Sequence, residues 1–357
     1  MHSLKFLQRA QRLVLTRFTT PTVSFMSVAK KAKMTKTIGT HSGAFHADES
    51  LAVFMLKQLP EFKDADLVRS RDMETLDKCD IVVDVSGQYD GTKYFDHHQR
   101  GFEEIFDLDG EFVTKLSSAG LVYKHFGKDV IRAILKDASV SDADIDLLYR
   151  KIYKDFVEAI DANDNGIEPY SEPIAEKPKF KQFGITLPAL VSTLNGLVKE
   201  ESERDAQFNV ASQLMGTAFH NLVYTAGTVW LPARAKVLMA VEAALKNGDE
   251  QRYLEFDESC QWKDHLFTIE EEKGIEGRFL YVLYPTPDSV RVQAVNEKDS
   301  AFKSRKPLPE EWRGLRDEEL SEKSGIPGGV FVHAAGFIGG NKTLEGALEM
   351  AKKGALA

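Results

Sequence analysis

Short apolar runs alternate with longer helical patterns through the first half of the chain. Thr37-Ile38-Gly39-Thr40 reads as a short strand, the segment from Asp48 to Leu59 as a buried helix stopped by Pro60, and Leu67-Val68 as a second strand. The run from Ile81 to Val85 is apolar except for Asp84, which fits a central parallel strand whose carboxyl end reaches a functional edge. Lys93 to Phe95 leads into Asp96-His97-His98 in the same way. Ser117 or Ser118 caps a helix through Phe126, with Gly127 at its C-terminal end. Beyond Pro188 the pattern turns helical, through Leu190-Val191-Leu194-Leu197 and a long run from Arg204 to about Lys246. Tyr253 to Phe256, Arg278 to Tyr284 and Ser289 to Val295 then read as strands, the last two joined by a turn at Pro285-Thr-Pro287-Asp288. A polar stretch holding Trp312, a turn at Gly328-Gly329, a strand from Val330 to His333 and a helix capped near Thr343 close the chain. The expectation is an α/β fold. A largely parallel sheet flanked by helices spans 37–247, a smaller α+β domain spans 248–357, and the active site lies in the cleft between them.

Charge changes the picture at one end. Lys5, Arg9, Arg12, Arg17, Lys30, Lys31, Lys33 and Lys36 precede the first acidic residue, Asp48, and Leu4, Leu7, Ala10, Val14 and Phe18 share one helical side. Such an amphipathic, Arg-bearing, acid-free leader reads as a mitochondrial targeting presequence over 1–36, directing the protein to the matrix. Lys30-Lys31-Ala-Lys33 also fits a weak nuclear signal, so a nuclear or cytoplasmic pool is a further expectation. The whole chain carries a formal charge of −9, so the body without its basic leader is more acidic still. A broad basic surface for duplex DNA is therefore excluded. No run approaches the apolar length of a membrane span. Cys79 and Cys260 are too few for a disulfide framework or a zinc cluster.

The chemistry is concentrated early. His41-Ser-Gly-Ala-Phe-His46-Ala-Asp48-Glu49, then Asp84, then Asp96-His97-His98, and later Asp161 stand at the ends of β-rich or helical runs. Imidazole suits borderline divalent metals, and carboxylates bridge two cations, so these pieces spell a shared metal site for water attack on a phosphate ester. Taken alone, Asp48 would serve as a helix N-cap, and His125 and His220 as packed histidines. Asp161-Ala-Asn163-Asp-Asn165-Gly166 with Glu172 satisfies the written pattern of a calcium-binding loop. Glu168-Pro169, Pro173 and Pro178 argue against its strand contact and exiting helix, which leaves Asp161 aimed at the metals.

With Val-Asp84-Val, Ser117-Ser118-Ala-Gly, Ala159-Ile-Asp161-Ala-Asn163-Asp, Arg313-Gly-Leu-Arg316 and Phe331-Val-His333-Ala-Ala-Gly336-Phe-Ile-Gly-Gly in the same order, the chain resembles the melanocyte-proliferating-gene family, related to the DHH phosphoesterases. The resemblance runs from about Thr37 to the last helix. It departs from the wider group where His46-Ala-Asp48 replaces Asp-x-Asp, which implies a softer site.

It implies two divalent ions, Mn²⁺ before Mg²⁺. His41, His46 and Asp84 would hold one, and Asp48, Asp84, His97 and Asp161 the other, with Asp84 bridging. Asp96 would orient His97, and His98 would face the substrate as a catalytic group. His333, Arg291, Gly328, Gly329 and Ser118 would bind substrate, the glycines letting backbone amides approach a phosphate. The implied activity is a 3′→5′ exonuclease acting on single-stranded RNA or short oligonucleotides. The acidic body suits a small-molecule phosphohydrolase as the alternative, such as a pyrophosphatase or dinucleotide phosphatase, and the His46 replacement suits a metal-stabilised scaffold without catalysis. There is no His-Glu-x-x-His helix to support a metalloprotease.

Overall fold

Apolar strands with parallel partners on both sides are buried on both faces, and the first sheet shows this at its centre. The computed structural model describes residues 35–106, 110–170, 181, 183–298 and 300–357; the leader lies almost wholly outside them, as do Glu172, Pro173 and Pro178 of the calcium-like pattern. The chain runs β1 (Thr37–Thr40), α1 (Ala47–Gln58), β2 (Asp66–Arg69), α2 (Met73–Leu76), β3 (Ile81–Val83) and β4 (Tyr94–Phe95). The four strands form a sheet in the order β2-β1-β3-β4, every pairing parallel, with Ile38 opposite both Leu67 and Ile81. All four strands therefore deliver their carboxyl ends to one edge, where open α/β sheets place their ligands.

Helices cover this sheet. α3 (Ser118–Ile134), α4 (Asp142–Ile152) and α5 (Glu158–Asp164) follow, the last two joined by a π-helical turn at Tyr153–Val157, then α6 (Leu187–Asn195) and α7 (Glu201–Thr225). α1 is buried along most of its length between α3 and α7. At Gly216 a Cβ would lie 1.9 Å from the Phe54 ring, so glycine there lets α7 close onto α1. Gly127 does not end α3, which continues to Ile134. It serves close packing instead, because a Cβ would come within 2.9 Å of Tyr149 on α4. The long helical run expected to Lys246 is interrupted by a π-helical turn at Ala226–Trp230 before α8 (Leu231–Lys246).

The second sheet collects β5 (Tyr253–Glu255), α9 (Lys263–Lys273), β6 (Tyr281–Thr286), β7 (Ser289–Ala294), α10 (Asp317–Ser324), β8 (Gly329–Val332), β9 (Ile338–Asn341) and α11 (Leu344–Leu356). Its order is β5-β6-β7-β9-β8, with β5 parallel to β6 and the rest antiparallel. Thr343 caps α11 by accepting from the Gly346 amide. β9 falls in a glycine-rich stretch that propensity argues against. It forms because β7 and β8 pair with it on both sides, and its glycines sit close to those neighbours: a Cβ at Gly340 would meet Arg291 Nη1 at 3.1 Å. Val237, Val241 and Ala244 of α8 pack with Leu254, Trp262, Leu266 and Phe279. α8 thus belongs to the core of the second sheet, although it precedes the change expected at 248. Residues 36–357 form one unit. Among the described residues no helix is long and apolar enough to cross a membrane.

Candidate metal centre

Three strand ends and one helix start meet at the carboxyl edge of the first sheet. His41 follows β1, Asp84 follows β3, and Asp96, His97 and His98 follow β4. Asp84 sits at φ +59°, a left-handed conformation that aspartate tolerates better than most side chains and that marks functional turns. His46 is the N-cap of α1, and Glu49 closes a capping box by accepting from the His46 amide at 2.8 and 3.0 Å. Asp48 is therefore not the cap. The loop before the helix is pinned by Asn195, whose side chain accepts from the Phe45 amide at 3.1 Å and donates to its carbonyl at 2.8 Å.

His41 Nε2 lies 3.1 Å from Glu49 Oε1 and 3.3 Å from Asp84 Oδ2. His97 Nε2 lies 2.8 Å from Asp164 Oδ2, with Nδ1 3.6 Å from Asp84 Oδ1. Among the described residues, ligand-type atoms fall into three overlapping groups, each within 4.8 Å: His41, His46, Glu49 and Asp84; Asp84, Asp96, His97 and His98; and His46, Asp48 and Asp164. Asp84 joins the first two groups and His46 the first and third. A cavity of about 660 Å³ opens beside them, lined by His46, Asp48, His98, Asn163, Asp164 and Ser192 among others.

Burial and mutual repulsion from Asp84, Asp164 and Glu49 push the Asp48 carboxyl well above the ordinary carboxylate range. Burial would depress the His41 ring, but hydrogen bonds with Asp84 and Glu49 carry it up to about 10. Burial also works against Asp164, yet its hydrogen bond with His97 holds it below the usual range. Asp48 Oδ1, Asp84 Oδ1 and His97 Nδ1 are buried without a hydrogen-bond partner. Buried oxygens and an imidazole nitrogen left open amid several carboxylates fit divalent cations, which satisfy such atoms and cancel the repulsion.

Several expected roles move. Asp161 does not face the cluster: Oδ1 accepts from the Ser117 amide (3.0 Å), the Ser117 hydroxyl (2.7 Å) and the Gly120 amide (3.0 Å), and Oδ2 from the Tyr153 hydroxyl (3.0 Å). Asp164, one turn later on α5, stands in the cluster instead, and Glu49 joins it; sequence reasoning missed both as candidate ligands. The signal for Asp164 was its spacing, three positions beyond Asp161 on a helix. Asp96 holds His98 rather than the His97 ring, accepting from His98 Nδ1 at 2.8 Å and from the His97 amide at 2.7 Å. Ser118 is fully buried and donates to Asp48 Oδ2 at 2.6 Å, so it supports a carboxylate rather than meeting substrate. His333, Arg291, Gly328 and Gly329 do not line this cavity, whose walls come from residues 45–193 and not from a cleft between the two sheets. Arg291 lies over the Phe331 ring at 4.8 Å, and His333 Nδ1 accepts from the Ala335 amide at 3.1 Å. Asp161 to Asp164 are helical, which removes the calcium-loop geometry at its first positions. His125 bonds the Tyr89 hydroxyl at 2.7 Å, away from these groups.

Fold and site together define an α/β protein with a histidine–carboxylate centre at a parallel sheet edge. The chain belongs to the MYG1 exonuclease family, described as an uncharacterised protein family (UPF0160), which matches residues 37–355. It is 52% identical over 320 residues to a MYG1 protein of Schizosaccharomyces pombe, covering 88% of this chain and 96% of that one. It is 42% identical over 322 residues to the Homo sapiens protein named MYG1 exonuclease, covering 88% and 84%. Among solved structures, a pGpG-specific phosphodiesterase of Vibrio cholerae aligns over 89% of this chain and 99% of its own, at 15% identity and a TM-score of 0.28. The manganese-bound exonuclease RecJ aligns over 90% of each chain, at 12% identity and a TM-score of 0.21.

Proposed function

We propose that this protein is a two-metal phosphodiesterase that removes nucleotides from the 3′ end of single-stranded RNA or short oligonucleotides, with Mn²⁺ preferred over Mg²⁺. The observation that carries the reading is the set of buried atoms without partners, Asp48 Oδ1, Asp84 Oδ1 and His97 Nδ1, inside three overlapping ligand groups. The exonuclease name of close relatives supports the same class of reaction. His41, His46, Glu49 and Asp84 would hold one ion, and Asp84, His97, Asp164 and Asp48 the other. Bound there, the cations supply charge that activates water and neutralises phosphoryl oxygens. The histidine share of the donors argues against Mg²⁺, which binds almost wholly through oxygen.

The chain's own groups do the rest. Asp96 accepts from His98 Nδ1 and so holds the ring at the cavity wall with Nε2 left for substrate. When water attacks phosphorus and the P–O3′ bond breaks, His98 Nε2 is placed to pass a proton to the leaving oxygen. Among the described residues, no lysine or arginine lines the cavity. That observation favours a second reading, a phosphohydrolase for dinucleotides or pyrophosphate, because a long polyanion gains little from such walls. Comparing turnover of a short 5′-labelled RNA, the same RNA blocked at its 3′ end, a dinucleotide and pyrophosphate in Mn²⁺ tests both. Stepwise 3′ shortening supports the exonuclease, turnover confined to the small substrates supports the alternative, and no turnover of any leaves a metal-bound scaffold. The leader's composition supports a mitochondrial address; deleting residues 1–36 should leave catalysis unchanged and abolish import, and retained import would refute it.

A further inference from the structure

A carboxylate that makes four hydrogen bonds and no contact with the ligand groups needs a role of its own. Asp161 is wholly buried on α5 and accepts from the amides of Ser117 and Gly120, at the N-cap and in the first turn of α3. Those amides are among the donors a helix leaves unpaired at its start, and an anion there also meets the positive end of the helix dipole. Ser117 is already the N-cap through its hydroxyl, which accepts from Ala119, so Asp161 grips the same turn from another helix. Gly120 admits it, since a Cβ would fall 2.3 Å from Asp161 Oδ2. The turn so gripped carries Ser118, whose hydroxyl donates to Asp48 Oδ2 at 2.6 Å and leaves Oδ1 unpartnered. About 4.5 Å further along α5 stands Asp164, which holds His97.

We infer that Asp161 is a positioning residue that registers α3 against α5 and thereby sets Asp48 and Asp164 for the metal ions, acting through Ser118 on one side and along α5 on the other. The inference rests on the reading of the cluster as a metal centre. It does not depend on which phosphodiester is cleaved.

The test is a Mn²⁺ titration of the full chain without substrate, followed by calorimetry and by the electron paramagnetic resonance of bound Mn²⁺. Asp161→Ala should keep the number of ions bound by the unaltered protein but weaken their binding about 10- to 100-fold and change the Mn²⁺ spectrum. Asp161→Asn retains an oxygen for the two amides and should recover most of the affinity. Loss of an ion in Asp161→Asn would make the residue a ligand and overturn the inference. Unaltered affinity in a folded Asp161→Ala would overturn it as well. If Asp161→Ala does not fold, Ser118→Ala decides, since it cuts the link to Asp48 without adding bulk: weaker binding at unchanged stoichiometry supports the link, and unaltered affinity removes it. A protein that binds no Mn²⁺ before any substitution would refute the metal centre itself. One that binds Mn²⁺ but cleaves no RNA would refute only the proposed reaction.

Discussion

Two cavities among the described residues contrast, and the smaller of them holds the candidate metal ligands. The larger, of about 940 Å³, is lined by residues of α4, α8 and α9 and by the loop after β7. Each described carboxylate on its wall has a cation: Glu111 pairs with Arg150 and Lys154, Asp155 and Asp264 with Lys151, Glu272 with Arg234, and Glu297 with Lys303. The smaller sets Asp48 and Asp164 beside Asp84 and Glu49, and leaves buried oxygens of Asp48 and Asp84 without partners. Volume is a poor guide to a site. What separates the two is whether the chain completes its own electrostatics or leaves them for a ligand to complete.

The largest break in this contrast should come from Asp84→Asn. Losing the carboxylate common to two ligand groups should remove most bound metal and nearly all hydrolysis while the fold persists. Without metal the sign reverses. Burial and Glu49 raise the Asp84 carboxyl above its ordinary range, with His41 only partly offsetting them, so without metal its charge costs folding stability and the neutral variant should melt higher than the unaltered protein in chelator. Metal analysis and paired melting curves decide the matter; full occupancy with near-normal turnover would refute the bridge.

His98→Ala tests whether the exposed rim of the small cavity acts on substrate. The side chain is 61% exposed and tied to Asp96, so its loss should lower kcat about 100-fold with metal content near normal. If the metal leaves with it, His98 is a ligand and the contrast must be drawn with one more donor.

A smaller effect concerns protons. His41 is raised to about 10, so near neutral pH the metal-free site holds a proton there that a cation must displace. Metal binding should therefore release protons and weaken as pH falls. In the metal-free protein, the stability due to His41 is complete below its unfolded value near 6.5 and fades as pH rises through about 10. Binding heats measured in buffers of different ionisation enthalpy check the release; heats independent of buffer would contradict it.

How far the sequence spoke of this contrast depends on what each signal encodes. Strand ends were legible because Asp84 interrupts an apolar run and Asp96-His97-His98 follows one, and a parallel sheet brings such ends together. Which carboxylate of α5 faces inward was not, since Asp161 and Asp164 differ only in helical angle and in what α3 offers them. Gly127 read as a helix stop because glycine's backbone freedom is visible in sequence, whereas its lack of a Cβ beside Tyr149 is a tertiary fact. The paired charges of the large cavity were equally hidden, for Lys151 meets Asp264 across more than a hundred positions.

The smallest expected effect comes from the large cavity. Arg234 Nη2 donates to both carboxylate oxygens of Glu272 at 2.8 Å, but the side chains are 34% and 51% exposed, so water and salt screen the pair. Exposed ion pairs contribute about 0–1 kcal/mol, and Arg234→Ala should shift stability within that range, less in high salt, with metal affinity untouched. Denaturant melts at two salt concentrations, together with a Mn²⁺ titration, give the measurement. A loss of several kcal/mol, or weakened Mn²⁺ binding, would show that the two cavities are coupled and that a completed set of charges in one supports the incomplete set in the other.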